Sequence, residues 1–327
     1  MAAGSCVNPP NLDGTRLTFH ARGWNDSIEY DARLHANGIE PYFDPKKPTL
    51  IFIPGWAKEY TKRGFQFAFS FRLSYPHVPE FHGPAIEDDA WFDMWNVAMY
   101  STTLYSDFPN PREFEAKIYS NKNMRWRDGE NKVHTPCNTI PDITRLFLAK
   151  IRKLPFDPDL ELRLVGQSTA SNLALAAGSA IADQYREKLR IVLLDPIFFT
   201  FGKVRPNGKS VAETAYENGK KIVSNGNGVI EFYKCSGILQ HFGSVFARSN
   251  NRLQEISAFV RLRPRYLMDY WATNTPLFTR LMLKHTVALD YYVRSLNFPH
   301  LALGAATPTE IVRQYSLSDI YLDQTNA

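Results

Sequence analysis

Ser168 stands where a serine can be made reactive. It lies in Glu161–Asp195, which reads strand, sharp turn, helix, strand. Leu162, Leu164 and Val165 form a short apolar run with strand character. Gly166-Gln167-Ser168-Thr169-Ala170 follows at once, and then a small-residue helix with Leu173, Ala174, Ala177, Ala180 and Ile181 on one face. A tight strand-to-helix turn lifts the hydroxyl out of the sheet and aims it at a helix N-terminus with free N–H groups. Small neighbours are what such a turn needs: Gly166 lets the backbone pass, and Ala170 lets helix and strand pack closely. The chemistry is acyl transfer, which also requires a base, an acid to orient it and donors for the oxyanion. Asp195 ends the apolar run Ile191–Leu194, at a strand's C-terminal edge beside the elbow strand, where a carboxylate can receive an imidazole N–H. Two histidines compete for the base: His285, which leads into a helical pattern, and His241, in a Gly/Ser-bearing loop. The plainer readings are a serine in an ordinary turn, an aspartate capping a loop before Pro196 and a packed or surface histidine.

The elements that must position these residues alternate along the chain. Arg16–Arg22 and Ser27–His35 read as early antiparallel strands, and Asp44-Pro45-Lys46-Lys47-Pro48 as a turn. Thr49–Ile53 is wholly apolar, the pattern of a parallel strand buried on both faces, and it ends at Pro54-Gly55-Trp56. Residues 57–90 are aromatic-rich and irregular; Asn96–Tyr100 is another core strand; residues 106–138 read as a long polar surface excursion. A helix starts near Pro141-Asp142, with Ile143, Leu146, Phe147, Ile151 and Leu154 as its buried stripe. Beyond Asp195, helical 211–218, strand Val229–Tyr233 and a half-exposed edge strand Ile256–Arg263 follow. The tail, Ala305–Ala327, is polar with a few apolar anchors. Strand–helix alternation through 49–195 predicts a mostly parallel sheet with right-handed crossovers.

At 327 residues, 44% hydrophobic and 22% charged, the chain has the composition of a globular protein with an ample core. A net charge of +5 assists approach to an anionic surface and does not by itself indicate nucleic acid. No apolar run has the length of a transmembrane helix, and the start lacks a basic region followed by an apolar stretch. The expectation is a cytoplasmic protein by default, or a secreted one if the chain is trimmed or exported by another route. Cys6, Cys137 and Cys235 are odd in number and widely spaced, which indicates neither a disulfide framework nor a zinc site; at most one bridge can form, and a reducing compartment would suit all three.

Four pieces, in order, resemble the pancreatic-lipase-like branch of the α/β-hydrolase lipases. Residues 50–56 (LIFIPGW) are similar to its strand and oxyanion segment, and 162–178 (LRLVGQSTASNLALAAG) to its nucleophile elbow. Residues 191–196 (IVLLDP) are similar to its acid-bearing strand, and 283–296 (LKHTVALDYYVRSL) to its histidine and the helix that follows. The order Ser, Asp, His and the short interval from Ser168 to Asp195 belong to this branch; most α/β-hydrolases place the acid one strand later. Two positions depart from the pattern: Pro54 replaces the histidine before the oxyanion glycine, and Ala170 replaces the elbow's second glycine. No counterparts stand out for the branch's lid disulfide or its structural-calcium carboxylates, and its second, β-sandwich domain is absent.

The resemblance covers about residues 50–300 and implies a single α/β-hydrolase domain over 1–327, a mostly parallel central sheet flanked by helices. Residues 1–47 would add N-terminal strands and an extension, and 198–283 lid-like or acyl-pocket insertions. It implies a serine carboxylic-ester hydrolase of lipase or phospholipase type. Ser168 would be its nucleophile, His285 its base and Asp195 its acid, with the backbone N–H groups of Trp56 and Thr169 as oxyanion donors and neither metal nor organic cofactor. The partners expected are a lipid or other ester substrate and peripheral contact with a lipid interface. Large apolar residues at 198–201 and 265–278 would line an acyl pocket or a lid, or pack as ordinary core. Arg261, Arg263, Arg265 and Arg280 would attract an anionic head group or form a solvated face. The alternatives are a catalytically silent lipase-like scaffold and an esterase or thioesterase for soluble acyl substrates.

Overall fold

A computed structural model describes residues 6–10, 13–21, 26–31, 37–56, 93–185, 188–199, 206–224, 228–235, 252–264, 285, 288–289, 292 and 318–322. The strands run in chain order as β1 (Arg16–His20), β2 (Ser27–Glu29), β3 (Thr49–Ile53), β4 (Asn96–Ser101), β5 (Trp126–Arg127), β6 (Val133–His134), β7 (Leu162–Gln167), β8 (Leu189–Leu194), β9 (Gly228–Lys234), β10 (Ala258–Pro264) and β11 (Ser318–Leu322). The helices are α1 (Thr103–Ser106), α2 (Pro111–Tyr119), α3 (Ile143–Ile151), α4 (Ser171–Tyr185) and α5 (Val211–Val223). Nine strands form one sheet in the order β11-β10-β9-β8-β7-β3-β4-β1-β2, and β5 and β6 make a separate hairpin. From β4 across to β11 every pairing is parallel; β1 runs antiparallel to β4 and to β2.

The apolar runs become the central strands because both sheet faces are covered. Alternate side chains feed two cores. On one face Ile51, Ile53, Leu164, Ile191, Leu193 and Ile230 pack with α3, α4 and α5 residues. On the other, Leu50, Phe52, Val165, Val192, Leu194 and Val260 pack with Ala288, Leu289 and Tyr292. Helix starts follow local chemistry: the Asp142 side chain accepts from Arg145 N–H, and Ser210 with Glu213 forms a capping box for α5. α4 lies close on β8 because Gly178 has no side chain; a Cβ there would come within 2.6 Å of Ile191 Cδ1.

Several expectations need correction. β10 is not an edge strand: it pairs with β9 on one side and with β11 on the other. Its partner β11 comes from the tail read as polar, since a short strand of mixed residues carries no periodic signal of its own. Residues 106–138 are not a surface excursion. They contain α2 and the β5–β6 hairpin, and Phe114, Ile118, Met124 and Trp126 are buried in the main core. Phe198, expected in an acyl pocket or lid or as ordinary core, is fully buried in the main core, while Phe199 is half-buried under the Arg112 guanidinium. Of the three cysteines, Cys6 and Cys137 are bridged with their Cα atoms 4.8 Å apart, and Cys235 stands outside any disulfide. Among the described residues no helix is long and apolar enough to cross a membrane. Residues 57–90, His241, Arg265, Arg280, the 265–278 segment and Thr200 and Phe201 lie outside the described residues.

Candidate active site

β7 ends at Gln167, the chain makes a 3-10 turn over Ser168–Ala170, and α4 begins at Ser171. Ser168 has φ 55°, the left-handed region that a serine rarely enters, and it is only 6% exposed. Such strain persists only where the surroundings enforce it, at a cost of about 1–3 kcal/mol. Here the surroundings do enforce it. Ser171 Oγ donates to Gly166 O at 2.9 Å, and a Cβ on Gly166 would meet Ala170 O and Ser171 Cα at 2.8 Å each. Only glycine permits that return of the chain.

Asp195 lies one residue past β8, the strand next to β7, and is also left-handed, with φ 42°. Its carboxylate is completely buried. Oδ2 meets His285 Nδ1 at 2.6 Å; Oδ1 accepts from Lys234 Nζ at 2.8 Å and from Cys235 N–H at 3.1 Å. Burial works against the charge, but the Lys234 ammonium and the His285 imidazole outweigh it and hold the carboxyl well below the usual carboxylate range. His285 is buried, and the helical residues His285, Ala288, Leu289 and Tyr292 share one buried face at i, i+3, i+4, i+7 spacing. Tyr292 anchors that face: its hydroxyl accepts from Arg163 Nη1 at 3.2 Å, inside a buried network of Arg163, Arg190, Glu161, Glu231 and Tyr233.

The structure thus brings Asp195 and His285 into direct contact. Among the described residues it records no hydrogen bond from Ser168 to His285, and such contacts in unliganded sites are often long. Gly55 and Trp56, just past β3, reach the elbow. A Cβ on Gly55 would lie 2.7 Å from Gln167 O and 2.8 Å from Ser168 Cβ. Trp56 N–H donates to Thr169 Oγ1 at 3.1 Å, and its indole N–H donates to Phe108 O. The two candidate oxyanion residues are therefore neighbours, although in this state the Trp56 amide is engaged by the Thr169 hydroxyl.

Two groups at the site have no motif in the sequence. Lys234 closes β9 as a charged end to an apolar strand, a hint visible only once its neighbour strand is known. Glu115, on α2, is 3% exposed and accepts from Asn172 Nδ2 at 3.2 Å and Phe199 N–H at 3.0 Å. Asn172 also donates to Thr169 O and Ile197 O, and Ile197 N–H donates to Ser168 O at 3.2 Å. Glu115 and Asn172 thereby tie the segment after the acid to the elbow. Burial, only partly offset by those hydrogen bonds and by Arg112, pushes the Glu115 carboxyl up to about 8. Among the described residues no cluster of His, Cys, Asp and Glu could hold a metal ion.

No protein-family model matches the chain, and no curated protein matches it. Among solved structures it is similar to the siderophore hydrolase EstB from Aspergillus nidulans, at 11% identity and TM-score 0.29, over 98% of this chain and 89% of that one. It is similar to the siderophore hydrolase EstA from the same organism, at 10% identity and TM-score 0.28, over 99% and 91%. The thioesterase domain from the curacin biosynthetic pathway is similar at 11% identity and TM-score 0.25, over 75% and 82%. Likeness at this level leaves the chemistry to the site's own geometry. The sheet order, the strand–turn–helix carrying a left-handed serine and the helices on both faces give this chain the α/β-hydrolase fold.

Proposed function

We propose that the protein is a serine carboxylic-ester hydrolase that works through an acyl-enzyme. One observation carries the reading: a strained serine on a strand-to-helix turn, with a buried Asp195–His285 pair at the end of the adjacent strand. In this reading Ser168 Oγ attacks the ester carbonyl carbon while His285 takes its proton. The carbonyl oxygen becomes an oxyanion and is met by the N–H groups of Thr169 and Trp56; the second must exchange its present acceptor, Thr169 Oγ1, for the substrate. The tetrahedral species expels the alcohol, which leaves with the proton from His285. Water, deprotonated by His285, then attacks the acyl carbon; the bond to Ser168 Oγ breaks, the proton passes from His285 to the serine oxygen, and the acid leaves. Asp195 holds the imidazole with Nδ1 as donor, so that the other ring nitrogen is the one that accepts. All these groups are the chain's own, and no step in this scheme calls for a metal or cofactor.

Within this class the lipase or phospholipase type is favoured by the position of the acid, directly after the strand beside the elbow strand. Peripheral contact with a lipid interface belongs to the same proposal. The test is fluorophosphonate labelling of wild type and Ser168→Ala, followed by a chain-length series of nitrophenyl esters with and without lipid interfaces. Labelling and turnover in wild type alone, with equal melting of the two proteins, supports the hydrolase. A folded wild type that takes no label and cleaves nothing, lipid included, points to a silent scaffold. Turnover confined to short soluble esters places the protein with soluble esterases and thioesterases instead.

A further inference from the structure

Asp195 is gripped from two sides. Oδ2 faces His285 Nδ1 at 2.6 Å, and Oδ1 faces Lys234 Nζ at 2.8 Å and the Cys235 amide at 3.1 Å. Lys234 is the last residue of β9 and follows five fully buried residues, Val229–Tyr233; it is itself only 9% exposed. An ammonium in that place is costly to desolvate unless matched, and Asp195, wholly buried, matches it.

We propose that Lys234 is a positioning residue that fixes the Asp195 carboxylate against His285 and offsets part of that carboxylate's charge. The consequence for catalysis rests on the hydrolase reading; the coupling between the three side chains does not. Two donors on Oδ1 fix the carboxylate plane and keep Oδ2 on the imidazole. A lone buried carboxylate would strongly favour imidazolium, whereas an ammonium on its second oxygen offsets part of that field. Among the described residues, the groups facing Asp195 are Lys234 at the end of β9, the Cys235 amide just past it and His285 from its own helix; the half-buried Cys235 side chain, outside any disulfide, lies at that strand end.

The experiment compares the full chain with Lys234→Met and Lys234→Arg, all in a Cys235→Ser background so that thiol ionisation does not enter. The titration of His285 is followed through its low-field Nδ1–H proton resonance, and the rate of fluorophosphonate labelling is measured against pH. The expected result is a His285 midpoint about one pH unit or more higher in Lys234→Met, with the acid limb of labelling moving by the same amount, and a wild-type profile in Lys234→Arg. If Lys234→Met does not fold, Lys234→Gln, which keeps a donor and loses the charge, carries the same expectation. A charge-free variant that titrates as wild type does overturns the proposal. A midpoint that moves in a protein taking no label supports the coupling and sinks the hydrolase reading; labelling with an unmoved midpoint does the reverse.

Discussion

At the scale of single residues the site depends on close approaches that side chains would spoil. Gly55 is the sharpest case, since a Cβ there would press on Gln167 O at 2.7 Å and on Ser168 Cβ at 2.8 Å. Gly55→Val is expected to push the loop bearing Trp56 away from the elbow and to lower kcat/KM by about 10² or more, the loss that follows removal of one oxyanion donor. Full activity in that variant removes this loop from the mechanism. In the proposed mechanism Ser168 and His285 serve one proton-transfer step, so Ser168→Ala and His285→Ala should each be nearly as damaging as the pair. Glu115 makes a separate prediction in pH. Its folded value, about 8, lies above its ordinary 4.5, so its contribution to stability is complete below about 4.5 and is lost as pH rises through about 8. The slope is on the order of 1 kcal/mol per pH unit at most. Glu115→Gln keeps an acceptor for Asn172 and Phe199 and removes the titration. The denaturant midpoint should fall between pH 5.5 and pH 8.5 for wild type and much less for the variant. Equal falls would mean that Glu115 titrates normally.

At the scale of elements, His285, the proposed base, belongs to a helix whose described face is buried against β3, β9 and β10 residues. Tyr292 joins that face to the sheet through Arg163, a fully buried guanidinium that also pairs with Glu161 at 2.7 Å and lies over the Trp95 ring. Hydrogen bonds to a buried charge contribute about 1.5–3 kcal/mol, and leaving one unmade has a similar cost. Tyr292→Phe is therefore expected to destabilise the fold by about 1–3 kcal/mol and, by loosening the helix that carries His285, to reduce kcat more than KM. Chemical denaturation and steady-state kinetics on the same preparation measure both. A variant that loses stability with kcat unchanged would confine the tyrosine to folding.

For the whole molecule, the long-range tie is the Cys6–Cys137 bridge, across 131 positions of sequence. It fastens the N-terminal extension beside the β5–β6 hairpin, where Trp126 Nε1 donates to Val7 O at 3.1 Å and Val7 N–H to Thr135 O at 3.0 Å. Closing so large a loop restricts the unfolded chain, and bridges of this kind typically contribute about 2–4 kcal/mol. Cys137→Ser should lower the unfolding free energy by about that amount, reductant should do the same to wild type, and the variant should be insensitive to reductant. No difference between oxidised and reduced wild type would mean the bridge does not hold in solution. The bridge lies away from the Asp195–His285 pair in sequence and partners, so labelling of Ser168 under native conditions should survive its loss.

The sequence by itself determined the central strands and the tight turn at Ser168. Thr49–Ile53 and Ile191–Leu194 are apolar enough to be buried on both faces whatever surrounds them, and Gly166-Gln167-Ser168 between a strand and a small-residue helix leaves few ways to turn. Such signals are local: they come from periodicity, from glycine and from caps, all within a few residues. Tertiary structure decided what lies beside what. β11 is a strand because β10 offers it an open ladder, and Phe198 is buried because the core closes over it. The Cys6–Cys137 pairing needed the hairpin to bring the two ends together. Lys234 and Asp195 are 39 positions apart, and Glu115 and Asn172 are 57 apart. Each pair owes its meaning to adjacent elements that place a charge or an amide in the same dry space. A charge 2.8 Å from a buried carboxylate acts through distance and desolvation, and neither is written in the order of residues along the chain.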